Sequence, residues 1–399
     1  LLLVGLLGGE AAIGVLGYLI AYALCRDLGS PLKRTLTVVP YLVVVGVWRV
    51  LWSRGGYGAR GSGAYIDPLG DPVGFLRVLP ARLVVLFHGQ FSKPPSDLAF
   101  LAPPPQQAFL VLFSTVTVVL VGWVLFRVVI VEGDRTSRFW AVGMGLSLLP
   151  LAATFPNDRL LLFVGLGAMP LLSRLFHGFV ARGARGEHEG RGRVLVIVGL
   201  AFLHLVAAPP LLALRAAQME LFGVTHDRGA QGIPSDPGVA GKTVVVVAAP
   251  TVIFANYIQA QRAFEGTPRP AHLYVLASAS SPITVERRGA QAIVLRPEQG
   301  FLYTPLEQHY RGGAPLVRGD RVSLSAMTAD VMETGPSGRP SAVRFSFDAP
   351  SDDYVFVTWK NGRFVPFALP DVGGPPVLLP EEDFGRILME TAVGGKGGA

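Results

Sequence analysis

Apolar residues run almost uninterrupted over about 1–24, 36–52, 108–131, 139–155, 160–180 and 194–215, with short polar connections between most of them. Each run approaches or exceeds the roughly 18 to 20 residues a helix needs to cross the hydrocarbon core of a bilayer. Peptide groups find no water there, so a lone apolar run crosses only as a helix. The pattern predicts six spanning helices, those at 36–52 and 139–155 being short. Residues 53–107 read differently. They open as Ser53-Arg-Gly-Gly-Tyr-Gly-Ala-Arg-Gly-Ser-Gly-Ala-Tyr-Ile-Asp-Pro68, a loop composition suited to tight turns. Asp71-Pro72 then gives a helix cap, and Phe75, Leu79, Leu83 and Leu86 recur at helical spacing. Arg77, Arg82 and His88 interrupt that face, which predicts a helix lying at the membrane interface rather than a further span.

Past Arg215 the spanning runs stop, and charge and turn residues rise. Residues 217–241 read as a linker. Strands are expected at 242–249, 272–277, 283–288, 292–296, 321–325, 330–333, 342–348 and 354–359, with a helix at 253–264. The fold class is thus a membrane all-α helical bundle over 1–216, followed by a β-rich, mostly antiparallel α+β soluble domain over 242–393. Residues 394–399 read as a disordered tail.

Half of the residues are hydrophobic and 16% are charged, and the mean hydropathy of +0.45 excludes an ordinary soluble chain. A net charge of +7 raises the question of nucleic acid, but the basic residues are spread over the membrane flanks and no nucleic-acid partner is expected. Cys25 stands alone, which rules out a disulfide framework or a cysteine metal site within this chain. Lys and Arg gather in the 25–35, 132–138 and 181–193 connections, placing those on the cytoplasmic side and everything after Arg215 outside. The opening Leu-Leu-Leu-Val, with no initiator Met, reads as the start of a piece of a longer polytopic protein.

Ionisable residues in such a chain are the candidates for chemistry, because each costs several kcal/mol unless paired, hydrated or bound. Glu10 sits in an apolar helix flanked by small residues, where it serves either a polar cavity or an interhelical hydrogen bond. Arg49 lies between Trp48 and Trp52, a pattern that also anchors helices at headgroups. Asp158 and Arg159 follow Pro156-Asn157 at a helix start, where free N–H groups and the helix dipole favour an anion; a local ion pair is the plainer alternative. Tyr65 and Asp67 lie in the glycine-rich loop, Asp67 as acid, base, metal ligand or simple turn residue. His88, His177, His204 and His226 lack metal-site spacing, and Gly241-Lys-Thr243 lacks the rest of a phosphate loop.

Two segments carry a family likeness. Leu7-Gly-Gly-Glu-Ala-Ala-Ile-Gly-Val15 resembles the Ser-Lys-Glu helix start of protein O-mannosyltransferase-like members of the GT-C superfamily of polytopic glycosyltransferases, with Glu10 at the acidic position and Gly8-Gly9 replacing Ser-Lys. Phe155-Pro-Asn-Asp-Arg-Leu-Leu-Leu162 resembles the Arg-Tyr-Leu helix start of that superfamily, with Arg159 at the arginine and Leu160 replacing the tyrosine. The chain is also similar to uncharacterised bacterial multi-pass proteins with a Gly-Ser-Gly-x-Tyr-Ile-Asp-Pro loop. The resemblance implies a bacterial inner-membrane enzyme that transfers a sugar from a polyprenyl-phosphate donor at the extracytoplasmic face. It implies Glu10 and Asp158 as catalytic residues, with Glu10 orienting a donor hydroxyl, a metal or Arg49. Arg159, Arg49, Tyr65 and Asp67 become substrate-binding residues, a divalent metal the only candidate cofactor, and the catalytic base lies upstream of Leu1. The alternative from a different class is a non-catalytic envelope protein whose helices anchor an extracytoplasmic interaction domain; a transporter would show paired broken helices in two similar halves, and none is seen.

Overall fold

A computed structural model describes residues 1–58, 64–102, 104–251, 255, 257–304, 307–308, 315–383 and 385–387. The chain divides into two compact units, Leu1–Leu211 and Leu212–Ala399.

The first unit is helical. Its elements are α1 (Leu2–Gly8), a 3₁₀ turn (Glu10–Ile13), α2 (Gly14–Cys25), α3 (Pro31–Arg54), α4 (Pro72–Phe91), α5 (Leu98–Leu101), α6 (Pro104–Phe126), α7 (Arg135–Leu151), a 3₁₀ turn (Asp158–Leu161), α8 (Leu162–Ala184) and α9 (Arg191–Ala201). A π turn at Phe202–Ala207 joins α9 to α10 (Ala208–Gln231), giving one helical run from Arg191 to Gln231.

Among the described residues, five helices are long and apolar enough to cross a membrane: Pro31–Arg54, Pro72–Phe91, Gln106–Val131, Asp158–Ala184 and Arg191–Gln231. The set differs from the six runs expected. The first run is broken at Gly9, where two glycines offer no side chain to hold the helix, and only Glu10–Cys25 remains as a shorter apolar helix. The 139–155 run yields the 17-residue α7, which stops at Leu151. The helix expected at the interface, α4, is itself of spanning length and composition.

Three attachments tie α4 and its flanks to one stretch of chain. Before it, the Ile66 N–H donates to the Ala153 carbonyl at 2.8 Å. From its middle, Arg82 Nη1 donates to the Ala152 carbonyl at 2.9 Å. After it, the Ser96 N–H donates to Asp158 at 2.9 Å. All three acceptors belong to the single connection between α7 and α8.

The other end of the bundle is arginine-rich. Arg26 donates to Thr136 at 2.7 Å, Arg174 pairs with Asp134 at 2.5 Å, and Arg182 pairs with Glu189 at 2.7 Å and Glu132 at 3.1 Å. Arg182 and Glu189 are buried, which is tolerable only because each has its partner. Between the two ends, glycines let helices touch. A methyl group on Gly17 of α2 would lie 2.8 Å from the Ser147 backbone of α7, and one on Gly167 of α8 would lie 2.5 Å from the Trp140 carbonyl.

The second unit is rich in β-sheet. One sheet joins β1 (Thr243–Val246), β2 (His272–Val275), β8 (Tyr354–Lys360) and β9 (Arg363–Pro366) in the order β2-β1-β8-β9. Here β1 runs parallel to both of its neighbours, and its four residues are all buried, as a central parallel strand requires. The other sheet is antiparallel, in the order β10-β3-β4-β7-β6-β5, formed by β3 (Ile283–Gly289), β4 (Ala292–Pro297), β5 (Arg321–Ser323), β6 (Met327–Thr334), β7 (Pro340–Phe347) and β10 (Val377–Leu379). The expected helix at 253–264 appears as α11 (Ile258–Glu265), with residues 252–254 and 256 outside the described set. Of the expected linker, residues 217–231 are the last turns of α10. The 394–399 tail lies outside the described residues.

The α2–α7 contact gives a direct test of the packing. Gly17→Val should destabilise the bundle by about 1–3 kcal/mol through overpacking, seen as a lower melting temperature in detergent. Gly145→Ala, with open space around it, should leave the melting temperature unchanged or higher.

Candidate functional site

A cavity of about 440 Å³ lies within the helical unit. Four segments meet there: the Glu10–Ile13 turn, the last turns of α3, the loop at 64–69 and the α7–α8 connection. Glu10, Arg49, Tyr65, Asp67 and Arg159, all expected from sequence to serve one site, line it together with Trp48, Trp52 and Phe155.

The break after α1 is what brings Glu10 in. Because the chain restarts as a 3₁₀ turn, Glu10 stands at the head of a new element facing α3. Trp52 Nε1 donates to Glu10 Oε1 at 2.6 Å, and Trp48 Nε1 donates to the Leu6 carbonyl at 3.1 Å. Trp48 and Trp52 are four residues apart, so one face of α3 presents both indoles to α1 and its turn.

Arg49 shares that region. Its guanidinium carbon lies 4.4 Å above the Trp52 ring centre, a cation–π contact, and it forms an ion pair with Asp67. Asp67 also accepts the Leu69 N–H at 3.1 Å, the side-chain turn its position suggested. Of the three partners expected for Glu10, a donor hydroxyl, a metal or Arg49, the last is taken by Asp67, and Glu10 accepts from an indole. Tyr65 packs 6.0 Å from Trp52, ring centre to ring centre. Burial, and next the Asp67 charge, push its phenol above the usual range, with Arg49 opposing.

Arg159 differs from the other cavity residues. Its backbone N–H donates to Asn157 Oδ1 at 3.0 Å, while its guanidinium is exposed and has no ion-pair partner among the described residues. The neighbouring N–H of Asp158 is taken by Asp97 Oδ1 at 2.9 Å. The helix start thus lacks the free N–H groups expected at these two positions, and any anion there is left to the guanidinium. Asp158, expected beside Glu10, is not among the cavity residues. Its carboxylate accepts the Ser96 N–H at 2.9 Å and hydroxyl at 2.8 Å, and pairs with Lys93 at 3.4 Å. It fastens the segment after α4.

Among the lining residues two arginines, Arg49 and Arg159, balance two carboxylates, Glu10 and Asp67. With Arg49 and Asp67 spent on each other, the cavity offers, among the described residues, one guanidinium without an ion-pair partner and one carboxylate held by an indole. Among the described residues no group of three or more His, Cys, Asp or Glu is placed to hold a metal ion.

Arg82 is the residue whose role sequence reasoning missed. Besides the Ala152 carbonyl it reaches the Ala64 carbonyl at 3.1 Å, so one side chain ties the end of α7 to the loop that carries Tyr65 and Asp67. The available signal was a cation on an otherwise apolar helix in a chain whose helix ends leave carbonyls unsatisfied. Comparisons with protein-family models, curated proteins and solved structures return no match.

The raised phenol of Tyr65 makes a pH prediction with a definite sign. A folded-state pKa above the unfolded value of about 10 gives stability that is complete below pH 10 and is lost as pH rises through the folded value. The melting-temperature difference between the wild type and Tyr65→Phe should be constant to about pH 9 and shift against the wild type at higher pH.

Proposed function

We propose that the helical unit is the catalytic part of an integral membrane glycosyltransferase that takes a sugar from a polyprenyl-phosphate donor. Arg159 grips the donor phosphate with its planar fork. The sugar lies against Trp52, Tyr65 and Phe155, Glu10 orients a donor hydroxyl, and an aspartate that is not among these cavity residues takes the proton of the attacking hydroxyl, as the resemblance implies. The bond from the sugar's anomeric carbon to the phosphate oxygen breaks as the acceptor oxygen bonds that carbon. The electron pair leaves with the lipid phosphate, whose developing charge Arg159 stabilises. The Arg49–Asp67 pair holds the 64–69 loop over the site.

In this reading the arginine-rich end is cytoplasmic. The shorter apolar helix Glu10–Cys25, α3, α6, α7, α8 and the α9–α10 run cross the inner membrane, α4 lies along the outer rim, and the second unit lies outside the cytoplasm. The observation that carries the proposal is the convergence of Glu10, Arg49, Tyr65, Asp67 and Arg159 on one cavity, the last with no ion-pair partner among the described residues. The satisfied pairs Glu10–Trp52 and Arg49–Asp67 also fit the competing reading, an anchor protein in which ionisable residues only join helices.

Arg159→Ala separates the two. The enzyme reading expects sugar transfer to fall by about 100- to 1,000-fold, with membrane insertion, abundance and melting temperature unchanged, and Arg159→Lys to recover part of the loss. An anchor protein would show no change in envelope glycans, or loss of the protein itself.

A further inference from the structure

The second unit has a hollow of its own, of about 390 Å³, between the last turn of α10 and the hairpin of β8 and β9. Arg228, Gln231, Asn361 and Arg363 supply its polar side chains, and Val365 and Pro366 form part of an apolar wall. Among the described residues no carboxylate lines it. The side chains of Arg228 and Arg363, and that of Lys360 on the same hairpin, have no hydrogen bond or ion pair among the described residues.

Local structure forces these charges together. Lys360-Asn-Gly-Arg363 is the sequence of a two-residue hairpin, and Asn361 and Gly362 take the positive φ, 54° and 77°, that such a turn needs. The turn sets Lys360 directly opposite Arg363 in the ladder, where like charges repel and weaken a hairpin. Next along the ladder, Trp359 faces Phe364, both buried, their rings edge to face at 5.0 Å. The end of α10 is pressed onto that pair through glycine: a methyl group on Gly229 would lie 2.6 Å from the Trp359 ring, and one on Gly232 would run into the Phe364 carbonyl. This close approach delivers a third cation, Arg228, to the hollow. Arg228 also suits the negative end of the helix dipole, but the facing pair of Lys360 and Arg363 has no such compensation.

We propose that this hollow binds a phosphate monoester, such as a phosphorylated sugar or glycerol. The forks of Arg228 and Arg363 grip the phosphate oxygens, Lys360 adds a third positive charge, and the carboxamides of Gln231 and Asn361 donate to the oxygens that remain. Val365 and Pro366 face the carbon end of the ester. A monoester carries a charge of about −1.5 to −2 at neutral pH, which matches three gathered cations better than a singly charged diester does. The end of α10 offers carbonyls rather than N–H groups, so the side chains supply the whole attraction. The site shares no residue with the Glu10–Arg159 cavity and does not rest on the glycosyltransferase reading.

The test is calorimetric titration of the full chain in mild detergent with glycerol 1-phosphate, inorganic phosphate and dimethyl phosphate at matched ionic strength. Glycerol 1-phosphate should bind saturably, inorganic phosphate should compete more weakly, and dimethyl phosphate, a monoanion, should bind at least tenfold more weakly. Arg228→Gln and Arg363→Gln should each weaken glycerol 1-phosphate at least tenfold, while Arg288→Gln on the other sheet and Arg159→Ala should leave its affinity unchanged. Without ligand, Arg363→Gln should slow amide hydrogen exchange over 354–366, since the facing charges no longer repel, which separates lost binding from lost folding. No saturable binding, tighter binding of inorganic phosphate, equal binding of dimethyl phosphate, affinity unaffected by Arg228→Gln or Arg363→Gln, or affinity lost with Arg159→Ala would each overturn the proposal.

Discussion

Polar groups at the edge of an apolar bundle must be answered by other polar groups, and in this chain that demand concentrates on the connection between α7 and α8. The end of α7 leaves carbonyls without helical partners; Ile66 answers Ala153, and Arg82 answers Ala152. Asp158 is answered by Ser96 and Lys93, and Asn157 caps the turn that follows. Segments on both sides of α4 are thereby fastened to one short stretch of chain. With these obligations met, the guanidinium of Arg159 is the charged group of that stretch with no ion-pair partner among the described residues.

The far end of α8 is held as firmly. Arg182 is locked by Glu132 and Glu189, which also engage Arg127, and Arg193 pairs with Glu189. Just over two turns earlier, Arg174 grips Asp134, whose carboxyl is held far below the usual range by that contact. The helix that begins beside Arg159 is therefore a rod fixed at both ends, and the glycine contact of Gly167 with α7 removes slack between them. The turn that carries Arg159 leads directly into this helix.

Much of this was legible in the chain. Uninterrupted apolar runs mark helices, and the alternation around 283–297 and 340–347 marks strands, because both depend on nearest neighbours in sequence. The break at Gly9 was not legible, since adjacent glycines are also used for close helix packing, and the sequence does not say which. Parallel pairing of β1 with β8 joins residues more than a hundred positions apart, and the three- and four-residue strands β10 and β9 carry too few alternations to stand out. At the site, Glu10, Arg49, Tyr65, Asp67 and Arg159 were visible because charges and a glycine-rich loop are conspicuous beside apolar helices. Their pairing was not, because Asp67 reaches Arg49 and Ser96 reaches Asp158 only through tertiary placement. Asp158 and Arg159, adjacent in sequence, serve different neighbours for the same reason.

The central claim is that Arg159 is held ready for an anionic headgroup. Its most direct test is a cryo-electron microscopy map of the full chain in nanodiscs containing a polyprenyl-phosphate lipid. Phosphate density is expected within hydrogen-bonding distance of the Arg159 guanidinium, inside a cavity bounded by Glu10 and Trp52. A map in which Arg159 is paired with Asp158, or in which the cavity is closed and the lipid phosphate lies elsewhere, would contradict it.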